Sequence, residues 1–343
     1  MKKLLNTLYI LSEDVYLALD GENVIVLREE ETAGRFPLHT LENIVSFSYK
    51  GASPALMGAC ASREIGLSFY SPRGKFLAHT VGASYGNVLL RKEQYRISGQ
   101  PEKSLAYAKN MITGKVFNCR WSLERTIRDN GMRIDTEKVK HASFLLNEGL
   151  SAARKCENMD SLRGLEGKMA SRYFSVFNEL IINQKDDFRF NGRSRRPPMD
   201  NINALLSFVY TILGNECAGA LEGVGLDAYV GFMHCDRPGR ESLALDLLEE
   251  LRGIMADRFV LTLINKKIIK GEHFDRQGDG AVLLSEEGRK QFFSAWQSRK
   301  KETLTHPFLK EKIPWGLVPY VQALLLARTI RGDLEAYPPF LWK

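Results

Sequence analysis

Near residue 81 the sequence changes its hydrophobic period, and no other feature constrains the fold as much. Before that point apolar residues come in short alternating runs. Val15, Leu17 and Leu19 alternate with polar or small neighbours, as on a half-buried strand. Residues 24–27 return after Asp20-Gly21, a dipeptide that favours a type I′ hairpin because both central residues need positive φ. Residues 43–47, 65–70 and 76–80 read as further strands, the last two joined through Ser71-Pro72-Arg73-Gly74. One helix is expected over 53–62, with Ser53 as N-cap and Pro54 at the first helical position. Together these predict a small β-sandwich domain over residues 1–80, one face of which needs a partner to be stable at that size.

Residues 81–90 read as a linker, opening with the small and Gly-rich stretch Val81-Gly82-Ala83-Ser84-Tyr85-Gly86-Asn87. Beyond it the period becomes helical. Helices are expected over 89–98, 102–129, 136–155, 162–183, 201–221, 242–264, 285–301 and 315–330, forming a larger all-α domain over 91–343. The fold class is therefore α+β. The loop 184–200 is long and basic, carrying Arg189, Arg193, Arg195 and Arg196.

A chain of 343 residues with 44 % hydrophobic and 26 % charged composition suits two globular domains. Lys2 and Lys3 precede apolar residues as in a signal peptide, but Asn6 and Ser12–Asp14 interrupt the run, so no signal is expected. No apolar run near the roughly 20 residues of a membrane span is visible either. Five scattered cysteines without a CxxC pair argue against a disulfide framework or zinc ribbon and for a reducing cytoplasm. The net charge is +7, yet residues 1–80 hold 8 Lys/Arg against 9 Asp/Glu. The whole positive excess lies beyond them, where a polyanion would be met.

Three segments hold residue types that could share a cation. In the helix opening at Ser242, leucines 243, 247, 248 and 251 make one face, while Asp246 and Glu249 lie three residues apart and Glu250 four from Asp246. A solvated acidic face would look the same. His234 follows an apolar run in a loop ahead of that helix, and a backbone-capped core histidine is its plain alternative. Glu166 stands between Gly164 and Gly167 at the expected start of a helix, where the dipole alone would favour a carboxylate. One imidazole with two or three carboxylates is a hard, oxygen-rich set that suits Mg²⁺ or Mn²⁺ better than structural zinc.

Longer blocks add to this. Residues 164–174, the stretch from Arg195-Arg196-Pro197-Pro198 to Tyr210, and residues 225–252 resemble the signature blocks of the CRISPR-associated integrase, the first and near-universal Cas family. The ending Gln322, Arg331-Gly332 and Tyr337-Pro338-Pro339-Phe340 matches as well. The wording around 236–240 is most similar to the subtype I-C branch. The resemblance implies a metal-dependent DNA integrase/endonuclease of CRISPR adaptation, in which a 3′-hydroxyl attacks a repeat phosphodiester by transesterification. It places the catalytic metal ligands on Glu166, His234 and Glu249, with Asp246 as a nearby carboxylate. It implies a homodimer built through the β domain, a small ferredoxin-like second CRISPR protein as partner, and a contact with an iron–sulfur end-trimming nuclease. Arg193, Arg195, Arg196, Arg237 and Arg240 are the candidate contacts to double-stranded DNA, and Tyr173 and Tyr210 are expected to be buried aromatics. A stand-alone nuclease acting on branched DNA, or a non-catalytic DNA-binding scaffold, are the rival readings.

Overall fold

The computed structural model describes residues 6–63, 65–71, 76–80, 87–194 and 197–343. Arg195 and Arg196, linker residues 81–86, and Pro72-Arg73-Gly74 of the expected turn lie outside them. The chain divides into two compact units.

The first unit holds strands β1 (Asn6–Ile10), β2 (Tyr16–Asp20), β3 (Asn23–Arg28), β4 (Glu31–Pro37), β5 (Leu41–Ser46), helix α1 (Pro54–Ser62), β6 (Gly66–Tyr70) and β7 (Phe76–Thr80). Strands β2, β3 and β4 form an antiparallel sheet. A second sheet runs β1-β5-β6-β7, with β1, β5 and β6 parallel and β7 antiparallel to β6. Two sheets and a helix close on one core that includes Leu17, Val24, Leu38, Ile44, Leu56, Cys60 and Leu67. The alternation that predicted strands is real, since Leu17 and Val24 point into this core. The hairpin differs in detail. Asp20 pairs with Asn23, and of the two residues between them Gly21 alone has positive φ (+57°), the pattern of a type II′ rather than a type I′ turn. The Ser53 hydroxyl caps α1 by accepting from Leu56 N at 3.2 Å, as expected.

The second unit is helical: α2 (Val88–Ser98), α3 (Pro101–Asn130), α4 (Thr136–Lys155), α5 (Met159–Ser175), α6 (Asn201–Gly223), α7 (Ser242–Leu251) and α8 (Arg258–Asn265). It also includes α10 (Val318–Arg331), which follows α9 (Glu286–Lys301) in the chain. The long α3 packs against α4, α5 and α7, and α6 against α7 and α10. Close approach of α3 to α7 depends on Gly114, where a Cβ would stand 2.7 Å from Glu250 Cγ. By length and composition α6 could cross a membrane, which the sequence reading overlooked. Half of its apolar window is buried inside the protein, with Leu205, Leu206, Val209 and Leu213 in the core.

Two expectations are corrected here. The helical domain was drawn as continuous over 91–343, but α9 belongs to the first unit, within Leu284–Glu302. Its aromatic face explains the move. Phe293 stacks on Tyr9 with centroids 4.0 Å apart and lies 5.5 Å from Phe47, while Phe292 and Trp296 are fully buried beside it. Gln297 Nε2 also donates to Thr7 O at 3.0 Å. This helix supplies the missing partner face; truncating one such ring costs about 3–5 kcal/mol. The second correction concerns 242–264, which is not one α-helix. A π-helical turn, Arg252–Asp257, separates α7 from α8, the kind of interruption that recurs at functional sites.

Candidate active site

The loop before α7 is shaped by buried polar groups rather than by a strand. Gln94 of α2 is fully buried; its Nε2 donates to Asp227 O and Val230 O at 2.8 and 2.9 Å, and its Oε1 accepts from Asp227 N. The first amides of α7, Leu243 and Ala244, find their acceptor in Ala228 O. Arg237-Pro238-Gly239-Arg240 then forms the expected turn: Arg240 N donates to Arg237 O at 3.0 Å, with Gly239 at φ +72°.

Asp246 fixes the middle of this loop. Its side chain is fully buried and accepts from Phe232 N (2.7 Å), Met233 N (2.9 Å) and His234 N (3.0 Å). The same carboxylate lies 2.6 Å from His234 Nδ1. Nδ1–H therefore donates to Asp246, and Nε2 remains as the basic nitrogen of a half-exposed ring. Carboxylates that orient a histidine in this way are usual behind metal-binding imidazoles. Gly231 is needed for the fit, because a Cβ there would stand 2.9 Å from His234 O and 3.0 Å from Asp246 Oδ2. Asp246, expected as a possible fourth ligand, thus has its capacity taken up by holding His234.

Glu166 and Glu249 meet at a cation that sequence reasoning missed. Lys115 of α3 is buried, pairs with Glu166 Oε1, and lies 2.6 Å from Glu249 Oε2. On its other side Glu249 Oε1 is 2.6 Å from Arg252 Nη2. Burial opposes the charge on Glu249, but Arg252, Lys115 and His234 outweigh it and bring its pKa down to about 2. Among the described residues no three His, Cys, Asp or Glu side chains are grouped to hold a metal ion as they stand; Lys115 stands between the two glutamates. Lys115 had no signal of its own in the sequence. Arg252 is three residues after Glu249, a spacing that pairs side chains on a helix, and it could have been found that way.

Glu166 does not begin its helix. Asn158 caps α5, accepting from Ser161 N at 2.9 Å, so Glu166 sits two turns in, beyond the reach of the dipole. A Cβ at Gly164 or Gly167 would meet nothing within 4 Å. The glutamate is thus flanked by open surface. One turn earlier, Arg163 Nη2 donates to Met233 O at 2.6 Å and lies 3.1 Å from Cys235 Sγ, tying α5 to the His234 loop.

The other expected contacts divide. Arg193 is committed to structure: it donates to Ser194 O (2.8 Å) and Asn203 Oδ1 (2.6 Å), and stacks 5.2 Å over Tyr210. Arg240 donates to Cys235 O, fastening the turn, while Arg237 is exposed. Tyr173 is buried, and Tyr210 donates to the buried Asp257. All five cysteines are free thiols.

Glu250, next to Glu249, faces away into a separate network. Its Oε1 accepts from Gln322 Nε2 at 2.6 Å and Phe340 N at 2.8 Å, and Gln322 also reaches Tyr337 Oη and the buried His306. Burial raises the Glu250 pKa to about 8 against the pull of these donors. The folded chain then holds a proton that the unfolded chain releases near pH 4.5, so this group's stability is full below pH 4.5 and is lost as pH rises through 8. Glu250→Gln should flatten the loss of thermal stability between pH 6 and 9, and leave the variant the more stable protein at pH 9. Parallel melting curves for wild type and variant that fall equally over this range would refute the assignment.

Comparison with known proteins follows the same lines. The Cas1 family model, "CRISPR associated protein Cas1", matches residues 8–298. A relative from Rhodospirillum rubrum described as "CRISPR-associated endonuclease Cas1 2" is 49 % identical over 347 residues, covering 100 % of both chains. Among solved structures, a "Casposase bound to integration product" superposes with a TM-score of 0.84 at 20 % identity, covering 99 % of this chain and 95 % of that one. A chain of a "Cas6-RT-Cas1--Cas2 complex" gives 0.81 at 21 % identity over 100 % of this chain and 36 % of that chain. At such identities the structural matches speak for the fold. The family match, together with a relative nearly half identical along its whole length, shows that this chain belongs to the Cas1 family of CRISPR-associated endonucleases.

Proposed function

We propose that the protein is a metal-dependent DNA integrase/endonuclease of CRISPR adaptation, using Glu166, His234 and Glu249 to hold Mg²⁺ or Mn²⁺. The observation that carries this reading is the pair of carboxylates, Glu166 and Glu249, gathered around one cation, with His234, whose charge acts on Glu249, held by Asp246 so that its Nε2 is left available. The ammonium of Lys115 is a stand-in for that cation, and the donors fit a hard divalent ion by their chemistry. When bound, such an ion neutralises charge developing on phosphoryl oxygens.

The chain's own residues do the rest. Asp246 fixes the imidazole and its tautomer, Arg252 keeps Glu249 ionised, and Arg163 holds the histidine loop against the helix bearing Glu166. The bare surface at Gly164 and Gly167 leaves room for a DNA backbone to approach the glutamate, and exposed Arg237 is a candidate phosphate contact. Joining then requires a strand's 3′-hydroxyl to attack a phosphodiester and displace the neighbouring 3′-oxygen, so one P–O bond forms as another breaks. The superposed "Cas6-RT-Cas1--Cas2 complex" is in keeping with a Cas2-like partner, the homodimer rests on the family resemblance alone, and the wording of 236–240 supports the subtype I-C branch.

The test is to incubate the protein and partner with a short duplex bearing 3′-hydroxyl ends and a supercoiled repeat-bearing plasmid in Mn²⁺ or Mg²⁺. Covalent joining is expected. Robust cleavage with no joining across metal and salt conditions would favour a repair nuclease on branched DNA instead.

A further inference from the structure

A cleft of about 370 Å³ opens in the helical unit between Trp121, Arg125 and Arg128 of α3, Arg258 of α8, and Trp342 and Lys343. Both indoles carry cations on their faces. Arg258 lies 4.9 Å over Trp342, while Arg120 and Lys343 lie 5.6 and 5.4 Å from the ring centre of Trp121. The buried indole N–H of Trp121 makes no hydrogen bond. The acidic lining residue, Glu124, is already engaged by Arg120 and the Ser143 hydroxyl. Arg125 and Arg128 are exposed and share a single carboxylate, Asp129. The cleft therefore offers two indoles layered with cations and a surplus of guanidinium groups.

Those two features select a ligand. Guanidinium forks match phosphate oxygens, and indole faces stack on bases. An acidic peptide would use the cations and leave the indoles idle. The volume lies at the small end of ligand pockets, too little for a duplex and enough for a ligand the size of one nucleotide. The cleft is distinct from the carboxylate site. Trp121 is six residues beyond Lys115, about 9 Å along α3 and roughly 120° around it.

We propose that this cleft binds one unpaired nucleotide of a DNA strand, its base against the indoles and its phosphate on Arg125 and Arg128. The inference rests on reading the protein as one that acts on DNA.

The test measures binding of a twelve-residue oligothymidylate and of a blunt duplex of equal length to the full chain, for wild type and Arg125→Ala/Arg128→Ala. The variant should bind the single strand about tenfold more weakly and with a shallower dependence on salt, while duplex affinity stays within about twofold. Oligonucleotides carrying 5-iododeoxyuridine should crosslink to the peptides containing Trp121 or Trp342, and Trp121→Leu should remove the first crosslink. Equal single-strand affinity in variant and wild type, or crosslinks only elsewhere, would overturn the proposal with the DNA-acting role intact. It also falls if polyglutamate or free thymidine monophosphate blocks the crosslink as well as the oligonucleotide does. A wild-type chain that binds neither DNA overturns both readings.

Discussion

His234→Ala is expected to lose about 10²–10³-fold or more of metal-dependent joining and cleavage, with a melting temperature within a few degrees of wild type. The ring is partly exposed, and its removal leaves Asp246 still accepting three backbone N–H groups, so little structural cost is expected. Glu166→Ala should behave likewise, with DNA affinity held or strengthened as a negative charge is lost near the phosphates. Asp246→Ala is different. It strands three amide donors inside the protein, each costing about 1–3 kcal/mol, and releases the imidazole at the same time. The family resemblance alone ranks Glu249 above Asp246; the geometry makes them equally damaging by separate routes, one through the ligand and one through the loop. Glu250→Ala should unfold the C-terminal network instead. Joining rates, melting temperatures and DNA affinities measured together for these variants decide the matter. A His234→Ala protein that joins at the wild-type rate, or is inactive only because it has unfolded, would remove the histidine from the site.

Replacing Lys115 by methionine should have opposite effects on the metal-free and metal-loaded protein. Without the ammonium, Glu166 and Glu249 face one another with only Arg252 to offset them, and breaking a buried pair of this kind costs roughly 3–5 kcal/mol. The melting temperature in EDTA should therefore fall. Added Mn²⁺ then has no competing cation to displace and relieves a repulsion, so its affinity should rise about tenfold or more. Its stabilising effect on the melt should grow in step. Calorimetric titration and Mn²⁺-dependent melting read both without any need for catalysis. A Mn²⁺-induced stabilisation equal to or smaller than that of wild type would show that Lys115 does not occupy the ion's place.

The sequence disclosed what local pattern encodes. The alternation of Val15, Leu17 and Leu19, the Ser53 cap and most of the helical periods became elements within a few residues of where they were expected, while the helix expected over 162–183 ends at Ser175 and the one over 242–264 is broken by the π-helical turn. The Pro238-Gly239 turn is equally legible, because one dipeptide specifies it. What stayed hidden depends on contacts distant in sequence. Lys115 looks like any lysine on a mixed helix until α3 packs on α5 and α7. Asp246 and Glu249 look alike on a helical wheel; a loop fourteen residues earlier decides which one clamps and which one faces the cation. In the basic run at 189–196, composition marks Arg193 for DNA but does not disclose the hydrogen bonds that tie it to Asn203 and Ser194. Residues Gln322, Tyr337 and Phe340, quoted only as an ending motif, have a physical reason once Glu250 is seen between them.

The placement of α9 sets an order of events for the newborn chain. Tyr9 and Phe47 emerge from the ribosome about 240–280 residues before the helix that covers them. At about 5–20 residues per second, that is a delay on the order of 12–56 s. During that interval the sheet edge and its aromatic surface stand open to any neighbour, including the same segment of another nascent copy. Expressing the β region alone would make that interval permanent. A shortened gene intended to isolate it would need residues 284–302 spliced after residue 80 to give a soluble product.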